Sequence, residues 1–473
     1  MKKKKYILVS WLFWFSALCA QDLTVRPDDP VIYKKDGTAF LWLGDTAWEL
    51  FHALDKQEIL HYLDNRHRKG FTVIQAVLLS ELNGLDKPNA YGQLPLIEKD
   101  PTHLNEAYFE LVDFTVREAG KRGLYMALLP TWGTNVAEEE GKSPLFQPEN
   151  AYRYGRILGK RYREQPVIWI LGGDRNVVTD REYAVWQALA RGLTEGNGGR
   201  QLMSYHPTGE ISSHYWFHTE PWLSFNIVQS GHYRKVDPVY RFAGIYARLR
   251  PVKPFVNAEP SYEDIPVRFW EYADYKKNGK RKEDVIDERG LIRDTTYFAD
   301  GIYDGDDIRK QAYWTYLSGA AGYTYGNNAV WQMYKPGGIY SIPCLTYWDE
   351  ALDRPGAESM RHVKTLFTRY PLNSFDPDLS VLYGINYSDG SYKTAVVAKD
   401  RSFLLVYVPE GGEVRIHTSK LVAPGKAFWF NPRDGKTFPI GDVQNQGVRS
   451  FAVPPHTKDR QKDWILILES RKE

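Results

Sequence analysis

Residues 166–176 read Pro-Val-Ile-Trp-Ile-Leu-Gly-Gly-Asp-Arg-Asn. Five consecutive apolar side chains, Val167 to Leu171, fit a strand covered on both faces, as in a parallel sheet packed between helices. The glycines and polar residues that follow mark where such a strand stops. On either side lie seven runs of the same kind, at 40–44, 72–78, 124–129, 201–205, 224–229, 254–258 and 322–325. Eight parallel strands is the number that closes a (β/α)8 barrel.

Helical patterns separate these runs. Asp55 and Glu58 make a capping pair ahead of a stripe of Ile59, Leu60 and Leu63, with Gly70 as the stop. Phe109, Val112, Val116 and Ala119 share a second helical face that ends at Gly123. A third helix starts at Asp180 and carries Val185, Trp186, Leu189 and Leu193. A fourth, at 307–317, places Ile308, Ala312, Tyr316 and Leu317 inward. The segment 272–293, rich in Lys and Arg, breaks this rhythm. It reads as a solvated insertion, with a recognition loop for an acidic polysaccharide as the alternative.

The alternation ends near Pro371. Beyond it, short strands are expected at 380–383, 394–398, 403–407, 413–417, 425–431 and 464–468. Turn signals at Asp389-Gly390, Gly411-Gly412 and Asp434-Gly435 accompany them. The expectation is a barrel domain at 21–370 and an antiparallel β-sandwich at 371–473. The 473 residues are 43% hydrophobic and 25% charged, with a mean hydropathy of -0.49. This excludes a disordered or collagen-like chain.

Residues 1–20 have a basic start, Lys2 to Lys5, an apolar run and a small residue, Ala20, before Gln21. That pattern is a secretory signal peptide, too short to span a membrane. Leu18 before Cys19 disfavours lipoprotein processing. Without those four lysines the chain has 57 basic and 59 acidic side chains, a balance unsuited to nucleic acid or anionic lipid. Cys344 alone survives cleavage, so no intrachain disulfide can form.

In a βα-barrel the reactive groups cluster at the C-terminal strand ends. Here those ends carry Asp45, Thr46 and Trp48; Gln75; Thr131 and Trp132; Asp174; His206; Gln229 and His232; Glu259; and Asn327. Asp174 and Glu259, after the fourth and seventh strands, face each other across a barrel mouth. Glycoside hydrolysis needs such a pair, one carboxyl protonated and one ionised, about 5 to 5.5 Å apart for retention and about 6.5 to 9.5 Å for inversion. The alternative for each acid is a helix cap. Trp48, Trp132, Trp216, Trp222 and Trp331 fall in loops, where rings suit a sugar face or cover the core edge.

Other chemistries lack support. There is no HExxH, His61 and His67 do not share a helical face, and His206, His214 and His232 lack a typical ligand spacing. No GxSxG triad is present, and Asp304 to Asp307 reads as a helix cap rather than a calcium loop.

FLWLGDTAWELFHAL, GLYMALLPTWG, PVIWILGGDRN, SYHPTG, FNIVQSGHY, KPFVNAEPSYE and QAYWTYLSGAAGYTYGNN, over roughly 28–370, together resemble the apiosidase-like domain of glycoside hydrolase family 140. The last domain resembles the β-sandwich labelled a collagen-binding domain of a collagenase. The resemblance implies a (β/α)8 barrel, Asp174 of the GGD motif as acid/base and Glu259 of the NAEP motif as nucleophile. It also implies removal of apiose from the pectin rhamnogalacturonan II by Bacteroidetes-type bacteria. The GGD pattern departs from the Asn-Glu dipeptide of better-known barrel glycosidases.

The reading is thus a secreted or periplasmic, retaining, exo-acting glycoside hydrolase without cofactor or metal. Asp45, Gln75, His206, Gln229 and His232 are expected to hold sugar hydroxyls, and Trp48 and Trp132 to wall the site. The rival is a non-catalytic glycan- or matrix-binding surface protein, which would keep the aromatic rings but not need both carboxylates.

Overall fold

The computed structural model describes residues 23–138, 143–455 and 462–471. The proposed signal peptide lies outside the described residues. Among these, the eight expected strands are present: β1 (Trp42–Thr46), β2 (Val73–Val77), β3 (Tyr125–Leu129), β4 (Val167–Gly172), β5 (Met203–His206), β6 (Asn226–Gln229), β7 (Phe255–Glu259) and β8 (Gly322–Tyr325). All their residues are buried, as continuous apolar runs require. These eight strands run β5-β4-β3-β2-β1-β8-β7-β6 with parallel neighbours, and a short ninth strand, Ile211–Ser212, pairs antiparallel with β6 at the edge. Ser224 N donates to Met203 O at 2.8 Å and Ser204 Oγ to Phe225 O at 2.6 Å, bringing β5 to β6 and closing the ring.

The barrel interior is filled, not hollow. Trp42 projects into it and donates through Nε1 to Thr324 Oγ1 at 3.0 Å. A Cβ at Gly322 would stand 2.5 Å from the Trp42 Cβ, so the indole needs glycine beside it. Gln75 completes this layer, accepting from Thr324 Oγ1 at 3.1 Å and donating to Ala258 O at 3.0 Å.

The outer ring is α1 (Lys56–Arg68), α2 (Glu106–Lys121), α3 (Pro148–Tyr162), α4 (Asp180–Asn197), α5 (His214–Phe217), α6 (Arg241–Tyr246), α7 (Gly305–Tyr316) and α8 (Pro355–Arg369). Asp55 and Glu58 form the expected capping box, and Asp304 with Asp307 form another at α7. Ile59 and Leu63 are buried whereas Leu60 is only half-buried; Tyr62 and Arg66 turn inward instead. The segment 272–293 forms a small layer, with Val285 and Ile286 packed against Tyr297 and Phe298.

α8 ends at Arg369, and the second domain follows as β9 (Phe375–Pro377), β10 (Thr394–Ala398), β11 (Phe403–Val408), β12 (Glu413–His417), β13 (Gly425–Phe430), β14 (Thr437–Val443), β15 (Val448–Ala452) and β16 (Trp464–Ser470). An antiparallel sheet in the order β9-β10-β11-β16-β13-β14 and the pair β12-β15 make the β-sandwich. Residues 380–383 correct one expectation: Asp378 accepts from Ser380 N and starts a 3-10 turn, Leu379–Val381, in place of a strand. β14 and β15 escape sequence reading because nearly all their residues are exposed and carry no alternation.

The barrel core continues into the second domain, where Tyr407, Phe430 and Ile465 join it, while Leu404, Val406, Ile416 and Leu466 belong to a separate core inside the sandwich. Tyr313 of α7 stacks on Tyr407 at 5.3 Å, and Trp314 Nε1 donates to Tyr392 O at 2.7 Å. Between them lies a buried ion network. Arg309 grips Asp463 at 2.8 and 2.9 Å, and Arg433 reaches the same carboxylate at 2.9 Å. Burial pushes the Asp463 carboxyl up, but the two guanidinium groups hold it below the usual range. Its stabilising effect is therefore present above the unfolded value and is lost as pH falls through the lower folded one. Removing one partner of a buried pair strands the other charges. Asp463→Ala is expected to cost about 3–5 kcal/mol in denaturant unfolding, and a loss under about 1 kcal/mol would show that the network does not brace the domains.

Candidate active site

The C-terminal strand ends open into a cavity of about 670 Å³. Its acids arrive by local backbone devices. At the end of β4 the chain turns through Gly172 (φ +90°) and Gly173 (φ +113°) into Asp174 (φ +50°). A Cβ at Gly172 would lie 2.3 Å from His206 O, and one at Gly173 would lie 2.7 Å from the Trp132 ring. Only glycines permit this turn, which delivers Asp174 to the cavity in a left-handed conformation rare for a non-glycine residue. At β7 a bulge between Asn257 and Glu259 shifts the register against β6 and re-aims the Glu259 side chain.

Glu259 is buried at the cavity floor, and two imidazoles hold it. His206 Nε2 stands 3.1 Å from Oε2, in ion-pair range though out of line for a good hydrogen bond, and His232 Nε2 stands 3.4 Å from Oε1. Burial alone would raise the Glu259 carboxyl, but the His206 and His232 contacts outweigh it and hold it at about 2. Asp174 is in the opposite condition. Its side chain lines the cavity and keeps 39% exposure, and its Oδ1 accepts from Thr208 Oγ1 at 3.1 Å. Burial and then the negative charge of Glu259 push its carboxyl up, against smaller opposing effects of His206, Thr208 and Arg175. The cavity therefore pushes the two carboxyls in opposite directions, Glu259 toward the ionised form and Asp174 toward the protonated one, the division of labour that acid-assisted cleavage needs.

Several expected residues converge here. Trp48 and Trp132 wall the cavity 5.6 Å apart, and the His206 ring sits against both. Trp48 Nε1 donates to Tyr262 Oη at 3.1 Å. Gln229 lines the cavity with a buried Oε1 that has no hydrogen-bond partner among the described residues. Trp331 joins the lining, whereas Trp216 and Trp222 pack on Tyr205 and Phe217.

Asp45, Gln75 and His206 correct the sequence reading. The His206 ring is fully buried behind the lining, packed on Trp48 and Trp132, and faces Glu259 rather than a sugar hydroxyl. Asp45 is fully buried behind β1, where Tyr62 Oη at 2.5 Å and Arg66 Nε at 2.7 Å hold its Oδ2. Strand side chains alternate in direction, and Asp45 points outward to α1, not into the mouth. Gln75 belongs to the barrel-filling layer beneath the cavity and does not line it. Among the described residues, no group of three or more His, Cys, Asp or Glu side chains is arranged to hold a metal ion, and no helix is long and apolar enough to cross a membrane.

Sequence reading missed Glu81, Thr208, Tyr233, Phe269 and Trp270, all in the lining. Glu81 is flanked by Ser80 and Leu82, whose Oγ and N donate to the buried Glu49 at 2.7 and 3.4 Å. Burial first, then repulsion by Glu49, Asp174 and Glu259, pushes the Glu81 carboxyl well above its usual value. The folded state thus binds this proton more tightly than the unfolded chain, so stability falls as pH rises from the unfolded value toward the raised folded one. Glu81→Gln removes that dependence. The variant is expected to unfold at a higher temperature than the unsubstituted protein at pH 8 and at a similar temperature at pH 4, by scanning calorimetry. The same difference at both pH values would mean that Glu81 does not titrate there.

A (β/α)8 barrel with such a cavity has the architecture of a glycoside hydrolase, and comparison with solved structures agrees. A structure described as a glycoside hydrolase is 29% identical, covers 95% of this chain and 97% of its own, and superposes with a TM-score of 0.81. A glycoside hydrolase family 5 structure from Bacteroides vulgatus ATCC 8482 has the same identity and TM-score, covering 95% and 93%. A family 5 mannosidase from Rhizomucor miehei, 11% identical with a TM-score of 0.51 over 75% of this chain and 99% of its own, shares the fold. No curated protein matches the chain.

The chain is a glycoside hydrolase. It belongs to the family of the apiosidase-like catalytic domain, whose model matches residues 27–374. Residues 377–469 match the family described as the putative collagen-binding domain of a collagenase.

Proposed function

We propose that this enzyme removes a terminal sugar, apiose, from pectin side chains such as rhamnogalacturonan II, acting from the chain end with retention of configuration. The convergence of Asp174 and Glu259 on one cavity, where burial and the Glu259 charge push the first carboxyl up and two imidazoles hold the second down, is the observation that carries the reading. Glu259, ionised between His206 and His232, attacks the anomeric carbon as Asp174 protonates the departing oxygen. The glycosyl–Glu259 ester is then cleaved by water whose proton Asp174 accepts, returning both carboxyls to their starting states. The unpartnered Gln229 Oε1 accepts from a sugar hydroxyl, and Trp48 and Trp132 face the apolar side of the ring. No cofactor enters these steps.

Family membership supports apiose, and the leader-like segment 1–20 supports export. N-terminal sequencing of the exported protein is expected to begin at Gln21. Incubation with rhamnogalacturonan II is expected to release free apiose, with NMR of the first-formed product showing the starting anomeric configuration. Release of a different sugar would refute the substrate, and an inverted product would refute Glu259 as nucleophile.

A further inference from the structure

Tyr233 and Trp270 are the most exposed large rings of the cavity lining, at 50% and 43%. They come from different loops, after β6 and β7, yet lie nearly parallel, with centroids 6.1 Å apart and planes 28° apart. Their placement is built rather than incidental. Arg268, at φ +51°, donates its backbone N–H to His232 O at 2.9 Å. Its guanidinium is clamped by Asp300 at 2.7 and 3.2 Å, and Tyr272 Oη donates to the same carboxylate at 2.7 Å. This pinned turn sends Phe269 inward, 6.0 Å from the His232 ring, and leaves Trp270 edge-on to Phe269 at 5.1 Å, facing the cavity mouth. On the other loop, the Arg234 guanidinium lies 5.4 Å from the Tyr233 ring centre and pairs with Glu210.

Two large rings held open to water forgo burial, and rigid aromatic surface at a cavity mouth suits a ligand with an apolar face. The rings and Glu259 line the same cavity, Glu259 at its buried end and the rings at its exposed edge, so a substrate with its terminal sugar on Glu259 passes them where it continues outward. We propose that Tyr233 and Trp270 form a leaving-group subsite, stacking on the sugar to which the terminal residue is attached, so that the preferred substrate is an oligosaccharide. This rests on the glycosidase reading of Asp174 and Glu259.

The test uses the full chain carrying Glu259→Gln, titrated calorimetrically with a panel of pectic, xylan and mannan oligosaccharides and with their terminal monosaccharides. Adding Trp270→Ala is expected to weaken the tightest oligosaccharide about ten-fold, a Trp-sized binding contribution. Trp270→Phe should recover most of it, and monosaccharide affinity should change less than two-fold. An equal loss for both ligands, an unchanged oligosaccharide affinity, or no oligosaccharide binding at all would each overturn the subsite. The apiose reading fails separately, if the unsubstituted enzyme releases no apiose from rhamnogalacturonan II.

Discussion

Glu259→Gln is expected to lower glycoside turnover by about four orders of magnitude, with the unfolding temperature nearly unchanged. The amide keeps the size of the side chain and can still contact His206 and His232, so the variant isolates the loss of negative charge. That charge is what the site is built to preserve. Burial opposes it, and two imidazoles overcome the burial to hold the carboxyl at about 2. Two consequences follow for steady-state kinetics. Glu259 should contribute no acid limb above about pH 3, because it is already ionised there. A variant that retains more than about one hundredth of the activity would remove Glu259 from the reaction, since a nucleophile cannot be replaced by a neutral amide at so small a cost.

Asp174→Asn produces a different defect. Loss of a general acid is expected to cost about 10³-fold on a natural glycoside, and much less in the first step when the leaving group is a dinitrophenolate that needs no proton. The pH profile separates the roles further. Asp174 works as an acid only while protonated, and burial with the Glu259 charge raises its carboxyl, so activity persists to higher pH than an ordinary aspartic acid would allow and then declines as that proton is lost. In Asp174→Asn the residual activity on the activated substrate should lose this alkaline limb, and azide, which needs no base to deprotonate it, should restore turnover as the glycosyl azide. An unchanged alkaline limb would assign it to another group. Thr208 gives a finer check, because its hydroxyl donates to Asp174 Oδ1 and favours the ionised form. Thr208→Val should move the limb upward.

Much of this site was legible in the chain. A buried parallel strand needs an unbroken apolar run, so the end of each run located a strand end, and barrel geometry brings those ends to one mouth. Asp174 after Gly172 and Gly173, and Glu259 at the end of its run, were found that way. The same rule misplaced Asp45 and Gln75. Near a strand end, side chains point alternately to the helix layer, the interior and the mouth, and a one-residue difference separates them. Asp45 falls on the helix side, where Arg66, seemingly an ordinary helix residue, lies buried against it. Glu81, Tyr233 and Trp270 gave no signal, because they sit in loops without periodicity.

The eight apolar runs, the capping residues and the glycines before Asp174 are local properties, set by backbone sterics and by which side chains water excludes, and they prescribe the barrel and the address of its two acids. Their protonation is not local. It arises where His206 at the end of β5, His232 in the loop after β6 and Glu259 at the end of β7 meet, all three side chains buried. Charge interactions there are strong enough to pull one carboxyl down and push its neighbour up. Such distances exist only after the ring of strands has closed, and so does the pairing of Tyr233 with Trp270 at the cavity mouth.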